Sequence, residues 1–443
     1  MIARSLLATL VALLSTTIAS AQSQRPIPDE GALGELVVTG HVQEHVTKLA
    51  VLPSLAPDLE DVIVRSVVRR DLELCGMFEV IPDKKAPPGL YGFDDPVEVD
   101  AWRKIGAEVI VKVAARKKRS GKIEVLGLAY FLNVGKDPVY EKKLVVDDSE
   151  VRVTAHRVTD ALLGAITGTP GGFASHFTYS GKWGRSRRIF TMDADGADLQ
   201  ALTKPDDTSI APTWGPNETL FFARSRAYSP FHLIQRENGT DRRLELPVPG
   251  SVFSIAFNAD HSKMALAISN TEGSSVWVGE PDGSNLSKVS TTAVATHPVF
   301  SPSGKLAWIG GEPDTFGAQR VYVDGKAVSP AGFTAAAPTF CDTEDGIRLV
   351  YSVGVGSNRE DLVMSAEMGG GIARLTQNQG TNTYPACSVD GRLLAFFSTR
   401  KHPDGDGLYM MSLKRWVTNR VSGAYGESLR WAPLPPPPQS TQP

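Results

Sequence analysis

From Ile189 to the C-terminus, apolar and polar positions recur in one order: a short apolar strand, a polar turn, a second apolar strand, then a hairpin. The short strands read Pro212-Thr-Trp-Gly-Pro, Ile255-Ala-Phe-Asn-Ala, Pro298-Val-Phe-Ser-Pro, Pro338-Thr-Phe-Cys-Asp, Pro385-Ala-Cys-Ser-Val and Leu429-Arg-Trp-Ala-Pro. Their starts lie 43, 43, 40, 47 and 44 residues apart, the period of a four-stranded propeller blade. Outer hairpins are expected at Ile189–Thr203, Phe231–Leu246, Val276–Ser290, Arg320–Ser329, Asp361–Thr376 and Leu408–Ser422, several turning on Asp-Gly or Asn-Gly pairs such as Asn238-Gly239 and Asp324-Gly325, the strongest short hairpin signal.

The repeat starts out of phase. The chain enters at the outer part of one blade, Phe177–Thr203, and finishes with a lone first strand, Ser428–Ala432. A closed ring requires that last strand to complete the blade opened at Phe177, because an unfilled blade leaves a sheet edge exposed. The tail beyond Leu434 carries Pro435–Pro438 and cannot be a central strand.

Ahead of the repeat the pattern alternates between strand and helix. Strands are expected at Glu35–Val38, Lys48–Leu52, Phe78–Ile81, Val109–Ala114, Ile123–Phe131 and Lys142–Val146. Asp58–Leu74 reads as a helix with Leu59, Val62, Ile63, Val67 and Leu74 at helical spacing, and Val99–Ile105 as a short one. Ser149 is expected to cap a helix over Glu150–Thr167, with Val158, Ala161, Leu162, Ala165 and Ile166 on one face and Gly168 as its stop. The expected fold is an α/β N-terminal domain followed by an all-β six-bladed β-propeller closed by the C-terminal strand.

Leu6–Ile18 is apolar behind Arg4 and ends near Ala19-Ser20-Ala21, the form of a secretory signal peptide and shorter than a membrane span. The expected divisions are a signal peptide at 1–21, a flexible segment at 22–32, the α/β domain at 33–167, a linker at 168–176, the propeller at 177–434 and a Pro-rich tail at 435–443. Lys+Arg 46 against Asp+Glu 49 in 443 residues gives a net −3, without the basic excess that nucleic-acid binding uses. Neither nucleic acid nor direct membrane insertion is expected, and the chain is read as a monomer.

Cys75, Cys341 and Cys387 are an odd set in a compartment that permits disulfides. Cys341 and Cys387 fall on first strands of neighbouring blades, within reach of a bridge. They stand at different offsets from their strand starts, so strand alternation points them to opposite faces, and buried free thiols are expected.

Candidate chemistry is sparse. His41-Val-Gln-Glu-His45 matches the H-x-x-E-H pattern of a class of zinc peptidases, but its β-branched surroundings argue for a strand, which would hold the two rings about 13 Å apart. Asp193-Ala-Asp195-Gly196 has no Glu at the twelfth position of a calcium loop and reads as a hairpin turn. No G-x-S-x-G elbow and no G-x-x-x-x-G-K-[ST] loop occurs, so no metal, cofactor or catalytic residue is expected. Binding is expected where the segments leading into the first strands gather at the channel mouth: Ile210 and Ala211, Phe253 and Ser254, Thr296 and His297, Ala336 and Ala337, Thr383 and Tyr384, Glu427 and Ser428. A secreted propeller enzyme or carbohydrate-binding protein using the same channel is the competing reading.

The order of elements resembles the TolB family, the periplasmic component of the Tol–Pal envelope system. In the repeats the resemblance rests on Ala211-Pro-Thr-Trp-Gly-Pro, His297-Pro-Val-Phe-Ser-Pro-Ser-Gly-Lys-Leu-Ala, Tyr384-Pro-Ala-Cys-Ser-Val-Asp-Gly-Arg-Leu-Leu-Ala, Ile189-Phe-Thr-Met-Asp-Ala-Asp-Gly and Arg430-Trp-Ala-Pro; in the first domain it rests on Lys48-Leu-Ala-Val-Leu-Pro, Leu72-Glu-Leu-Cys-Gly-Met-Phe and Trp102-Arg-Lys-Ile-Gly-Ala-Glu-Val-Ile-Val. It implies a non-catalytic adaptor that supports outer-membrane integrity and constriction at division. It implies that the mouth residues bind a Pal-type peptidoglycan-associated lipoprotein, with Thr296, His297 and Tyr384 the preferred contacts. It also implies that the segment containing Gln22, Arg25, Ile27, Asp29 and Leu33 binds a TolA-type inner-membrane protein. Two departures are visible: a longer Pro-containing lead before the first strand, and Ile255 where other repeats have Pro.

Overall fold

A computed structural model describes residues 33, 45–54, 58–311, 318–356, 359–401 and 403–435. The expected signal peptide at 1–21, Gln22, Arg25, Ile27, Asp29, the strand expected at Glu35–Val38, His41 to Glu44 and the tail beyond Pro435 lie outside the described residues.

The first part is a five-stranded sheet in the order β2-β1-β3-β4-β5: β1 (Lys48–Val51), β2 (Glu79–Val80), β3 (Val109–Lys117), β4 (Ile123–Phe131) and β5 (Tyr140–Val146). β1 runs parallel to β2 and β3, and β3, β4 and β5 are antiparallel neighbours. Helices α1 (Leu59–Leu74) and α3 (Val151–Thr167) cover it together, and the short α2 (Val99–Lys104) packs Trp102 into a second core with Ile110 and Leu128. The buried face of α1 is Val64, Val67, Val68, Asp71 and Leu72, whereas Leu59 is 70% exposed and Val62 also faces solvent. The cap of the last helix is likewise not Ser149. A 3-10 turn at Asp148–Glu150 precedes α3, and the Asp147 N–H donates to Glu150 Oε2 at 3.3 Å, a capping box two residues earlier than expected.

The rest is β. Unit 1 holds β6 (His176–Trp183), β7 (Ser186–Asp193) and β8 (Gln200–Ala201). Unit 2 is β9 (Thr208–Trp214), β10 (Leu220–Ser225), β11 (His232–Glu237) and β12 (Thr240–Arg243); unit 3 is β13 (Ser251–Phe257), β14 (Met264–Asn270), β15 (Gly273–Gly279) and β16 (Ser287–Lys288). Unit 4 is β17 (Val294–Phe300), β18 (Leu306–Gly311), β19 (Arg320–Val323) and β20 (Lys326–Ala327); unit 5 is β21 (Ala335–Thr343), β22 (Gly346–Val355), β23 (Arg359–Ala366) and β24 (Ala373–Arg374). Unit 6 is β25 (Asn382–Cys387), β26 (Leu393–Ser398), β27 (Gly407–Ser412) and β28 (Thr418–Ser422), and β29 (Glu427–Trp431) follows.

Each unit is an antiparallel meander, and β29 pairs with β6 to give the order β29-β6-β7-β8. The last strand thus fills the inner position of the unit that opened this half of the chain. First strands touch in the order β9, β13, β17, β21, β25, β29, and β29 also touches β9. Two outer turns have the two-residue form that the sequence suggests: Asn238-Gly239 and Asp324-Gly325 have positive φ at both positions, which matches strand twist.

Cys341 and Cys387 form a disulfide with Cα atoms 5.5 Å apart, and only Cys75 is a free thiol. The expectation of free thiols fails for a geometric reason. Neighbouring units pack face to face, so a bridge between them requires one cysteine on the leading face of its unit and the other on the trailing face. Opposite orientation is what brings Cys341 and Cys387 together, among Val350, Leu394 and Phe396.

One continuous core links the two halves. Val64, Val68 and Leu72 of α1 and Val158 and Leu162 of α3 pack with Phe177 and Met192 of unit 1 and with Leu393 and Val421 of unit 6. Polar groups are buried in the same seam. His156 Nδ1 lies 2.8 Å from Asp71 Oδ2, which also accepts from Thr159 Oγ1 at 2.8 Å. The other ring nitrogen lies 3.7 Å from Asp193 Oδ2 of unit 1, and Arg152 donates to Asp193 and Asp195, both at 2.8 Å. Burial pushes His156 down, but Asp71, Asp193 and Asp195 outweigh it and hold the imidazolium up to about 10. Asp160 accepts from the backbone N–H groups of Phe173 and Ala174 at 2.7 and 2.9 Å, which fixes the linker against α3. The buried face of α3 is therefore partly polar, and the sequence shows only its apolar half.

Three outcomes follow from this architecture. Deleting residues 427–443 removes the partner of β6 and should lower Tm sharply; an unchanged melting curve would show that β29 is dispensable. Reducing the Cys341–Cys387 bridge, whose sequence separation is 46, should lower the unfolding free energy by about 2–4 kcal/mol through the entropy returned to the unfolded chain, read as a shift of the urea midpoint. His156 is held above its unfolded value, so its stabilisation is complete below about pH 6.5 and is lost as pH rises toward 10. Urea midpoints should fall over that window in the wild type and much less in His156→Gln; equal slopes would disprove the link.

Candidate functional site

The twelve residues expected at the mouth do lie at the starting ends of the six first strands, but not in loops before them. Strand pairing begins earlier, at Thr208, Ser251, Val294, Ala335, Asn382 and Glu427. The register then slips in every unit: past residues 211 and 212, 253, 297 and 298, 337 and 338, 384 and 385, and 428 and 429. Each slip is a β-bulge, and proline explains most of them. Pro212, Pro298, Pro338 and Pro385 have no N–H to give to the ladder, so the strand must arch past them.

The residue before each arch takes the left-handed conformation: Ala211 (φ 53°), His297 (50°), Ala337 (46°), Tyr384 (51°) and, before Leu429, Ser428 (54°). Non-glycine residues hold such backbones at a cost of about 1–3 kcal/mol each, and they gather where strain serves a site. Unit 3, with Ile255 in place of Pro, skips only Phe253 and has no left-handed residue there.

Burial divides the set. Ala211, Ser254 and Ala337 are buried and shape the backbone, while Ile210, Thr296, His297, Ala336, Thr383, Tyr384, Glu427 and Ser428 are half-buried and Phe253 is 42% exposed. Phe253 packs on Phe231, with ring centroids 5.5 Å apart. His297 Nδ1 lies 3.0 Å from Thr296 Oγ1, and Arg187 donates to Glu427 Oε1 at 2.7 Å. Burial pushes His297 down to about 4, helped by the charge of Arg430 and opposed by Glu427. The Tyr384 phenol is pushed up to about 12, chiefly by burial and then by Glu427 and Glu360. Residues of units 1, 4 and 6 therefore share one electrostatic site.

Arg430 belongs to that site as well. A signal was present in the residue that follows each first-strand start: Thr213, Ala256, Val299, Thr339, Ala386 and Arg430. Five of these are small or aliphatic and one is charged. Arg187 and Tyr425, which join Glu427 and Thr383, carry no comparable mark.

The other expectations about sites resolve as follows. Leu33, assigned from the sequence to the TolA-binding segment and the start of the α/β domain, is fully buried against Ile309, Val321, Phe333 and Tyr351 of units 4 and 5. His45 precedes β1 in extended chain, and its Nε2 lies 2.5 Å from Glu108 Oε1. Asp193-Ala-Asp195-Gly196 is the expected hairpin turn, with the Gly196 N–H donating to the Asp193 carbonyl at 2.9 Å, and its two carboxylates also belong to the seam with α3. Ligand atoms of Asp71, His156 and Asp195 lie within 4.8 Å of one another, but Asp195 already holds Arg152 and His156 holds Asp71, so the group is an ion network rather than a cage. Among the described residues no helix is long and apolar enough to cross a membrane.

Comparison with known proteins points one way. The TolB amino-terminal domain matches residues 35–127. The Tol-Pal system protein TolB of Anaeromyxobacter dehalogenans strain 2CP-C is 29% identical over 230 residues, covering 51% of this chain and 52% of that protein. The Tol-Pal system protein TolB of Dinoroseobacter shibae is 31% identical over 159 residues, covering 34% and 35%. The chain spans about half the length, or less, of these curated relatives. In fold, the crystal structure of TolB from Acinetobacter baumannii superposes with a TM-score of 0.72 at 18% identity, covering 88% of this chain and 97% of that one. By the match of residues 35–127 to the TolB amino-terminal domain, by its curated relatives and by its fold, this chain is similar to the TolB proteins of the Tol-Pal system.

Proposed function

We propose that the chain is a non-catalytic periplasmic adaptor of a Tol-Pal type system. In this reading residues 177–434 form a closed six-bladed propeller whose blades are the six units, the α/β domain runs to residue 167 but does not include Leu33, which packs on units 4 and 5, and residues 168–176 are the linker. Export by the signal peptide at 1–21 delivers it to the periplasm. The bulged strand ends surround the mouth of the central channel and bind a Pal-type lipoprotein. The segment 22–32 takes a TolA-type inner-membrane protein, and the linkage supports outer-membrane integrity and constriction at division.

The observation that carries the reading is the repeated register slip. Six first strands that touch in a cycle all bulge at the same end, which turns a set of strand termini into a shaped surface on a rigid scaffold. The likeness to TolB proteins of the Tol-Pal system supports the partner class. The half-buried His297 and Tyr384 are the side chains best placed to be covered by a partner, since contacts excluded from water contribute most.

Titration with the soluble domain of a Pal-type lipoprotein should show saturable 1:1 binding. His297→Ala and Tyr384→Ala should each raise Kd about tenfold, equivalent to about 1.4 kcal/mol. Full affinity in both variants would put the contact elsewhere, and no binding by the wild type would reject the adaptor reading.

A further inference from the structure

Among the described residues, other arginines of low exposure are matched. Arg374 lies against Asp361, Arg224 and Arg236 each reach Asp241 at 2.6 Å, and Arg400 lies 4.1 Å over the Tyr409 ring. Arg430 is different. Among the described residues its guanidinium forms no ion pair, and its recorded hydrogen bond runs to the carbonyl of its own neighbour Leu429, at 3.0 Å. Glu427, the carboxylate on the same strand, is engaged by Arg187 at 2.7 Å.

The place of Arg430 in the fold sharpens the contrast. It is the first residue after the bulge at Ser428-Leu429 on β29, and the equivalent positions of the other five first strands are Thr213, Ala256, Val299, Thr339 and Ala386. Its charge is felt by His297 on β17, three units away around the cycle, and Tyr384 on β25 acts on it in turn. Burial pushes the guanidinium down to about 10, although Arg430 is only half-buried and keeps part of its surface open. Its fork of donors suits a carboxylate taken in two parallel hydrogen bonds.

We propose that Arg430, within the channel mouth of the adaptor reading on which this rests, receives a carboxylate from an acidic side chain of the protein partner. The partner inserts an Asp or Glu between the first strands, with the His297 ring and the Tyr384 hydroxyl beside it. Neutral His297 can donate one N–H to the incoming oxygen without adding charge. The lone charge also selects against a basic or amide-bearing loop, because neither supplies the missing anion.

The test uses the full chain and two probes. The first is the blocked peptide acetyl-Gly-Asp-Gly-amide, with its Asn analogue as control, followed by NMR of the His297 ring. A saturable shift is expected with the Asp peptide, with Kd on the order of 1–10 mM as one charge-assisted pair supplies. It should be absent with the Asn peptide and absent in Arg430→Gln. No shift in the wild type, or an equal shift in Arg430→Gln, overturns the proposal. The second probe is the soluble domain of the Pal-type lipoprotein. Arg430→Gln should raise its Kd at least tenfold, and Arg430→Lys should fall between that variant and wild type because it keeps the charge but not the fork. Wild-type Kd retained in Arg430→Gln overturns the assignment of the carboxylate to this partner. Peptide binding without Pal-type binding would reject the adaptor reading and leave the carboxylate site standing. Far-UV circular dichroism and Tm of Arg430→Gln exclude loss of fold as the cause.

Discussion

The pairing of Glu427–Trp431 with His176–Trp183 is the contact on which the rest of the molecule depends. It joins chain segments that lie near opposite ends of the repeat, and it is reinforced beyond the ladder. The Ala432 N–H donates to the His176 carbonyl at 2.8 Å, Ser175 Oγ donates to the Ala432 carbonyl, and the Trp431 and Phe177 rings meet edge to face. Without β29, the inner edge of β6 would stand open to any unpaired strand. The same strand delivers Glu427 and Arg430 to the strand-start face, so the element that completes unit 1 also completes the candidate site.

The two helices α1 and α3 sit over this junction. Their core includes Phe177 and Met192 from unit 1 and Leu393, Leu408 and Val421 from unit 6, the units on either side of the place where the repeat begins and ends. Apolar packing alone would tolerate sliding. The His156, Asp71, Asp193, Asp195 and Arg152 network does not, because shifting either half would leave buried charges unpaired, a penalty of several kcal/mol. Arg70, whose side chain donates to the Arg420 carbonyl at 2.7 Å, and Arg392, which donates to Thr167 Oγ1 at 2.8 Å, act in the same direction at the edges. Hydrophobic area holds the halves together, and the polar network sets their register.

Much of this was legible in the sequence because the information is periodic. Apolar pairs at a fixed spacing, Asn-Gly and Asp-Gly turns, and a displaced first strand at Ser428–Ala432 describe the order of the units without a single long-range contact. What was not legible depends on faces and registers. Cys341 and Cys387 point to opposite faces of their own sheets, which reads as separation until the sheets are stacked. His156, Thr159 and Asp160 look like the solvent side of an amphipathic helix until a second body covers them. Pro marks bulges and loops alike, and only the pairing on either side shows that the strand resumes. Arg430 was visible once the six first strands are compared position by position, since it breaks a column of small residues.

That break bears on how a repeated surface can bind one partner in one way. Six similar units offer a ligand six similar orientations, and the backbone arches at Ala211, His297, Ala337, Tyr384 and Ser428 preserve most of that equivalence. Orientation must come from the side chains that differ. The exposed Phe253 marks unit 3, where the bulge is shortest, and Arg430 with the Arg187–Glu427 pair marks unit 1. In the proposed adaptor, an apolar side chain and a cation in different units would leave one rotation in which a partner carrying an apolar group and a carboxylate satisfies both. The regularity of the fold supplies rigidity, and its departures from regularity supply direction.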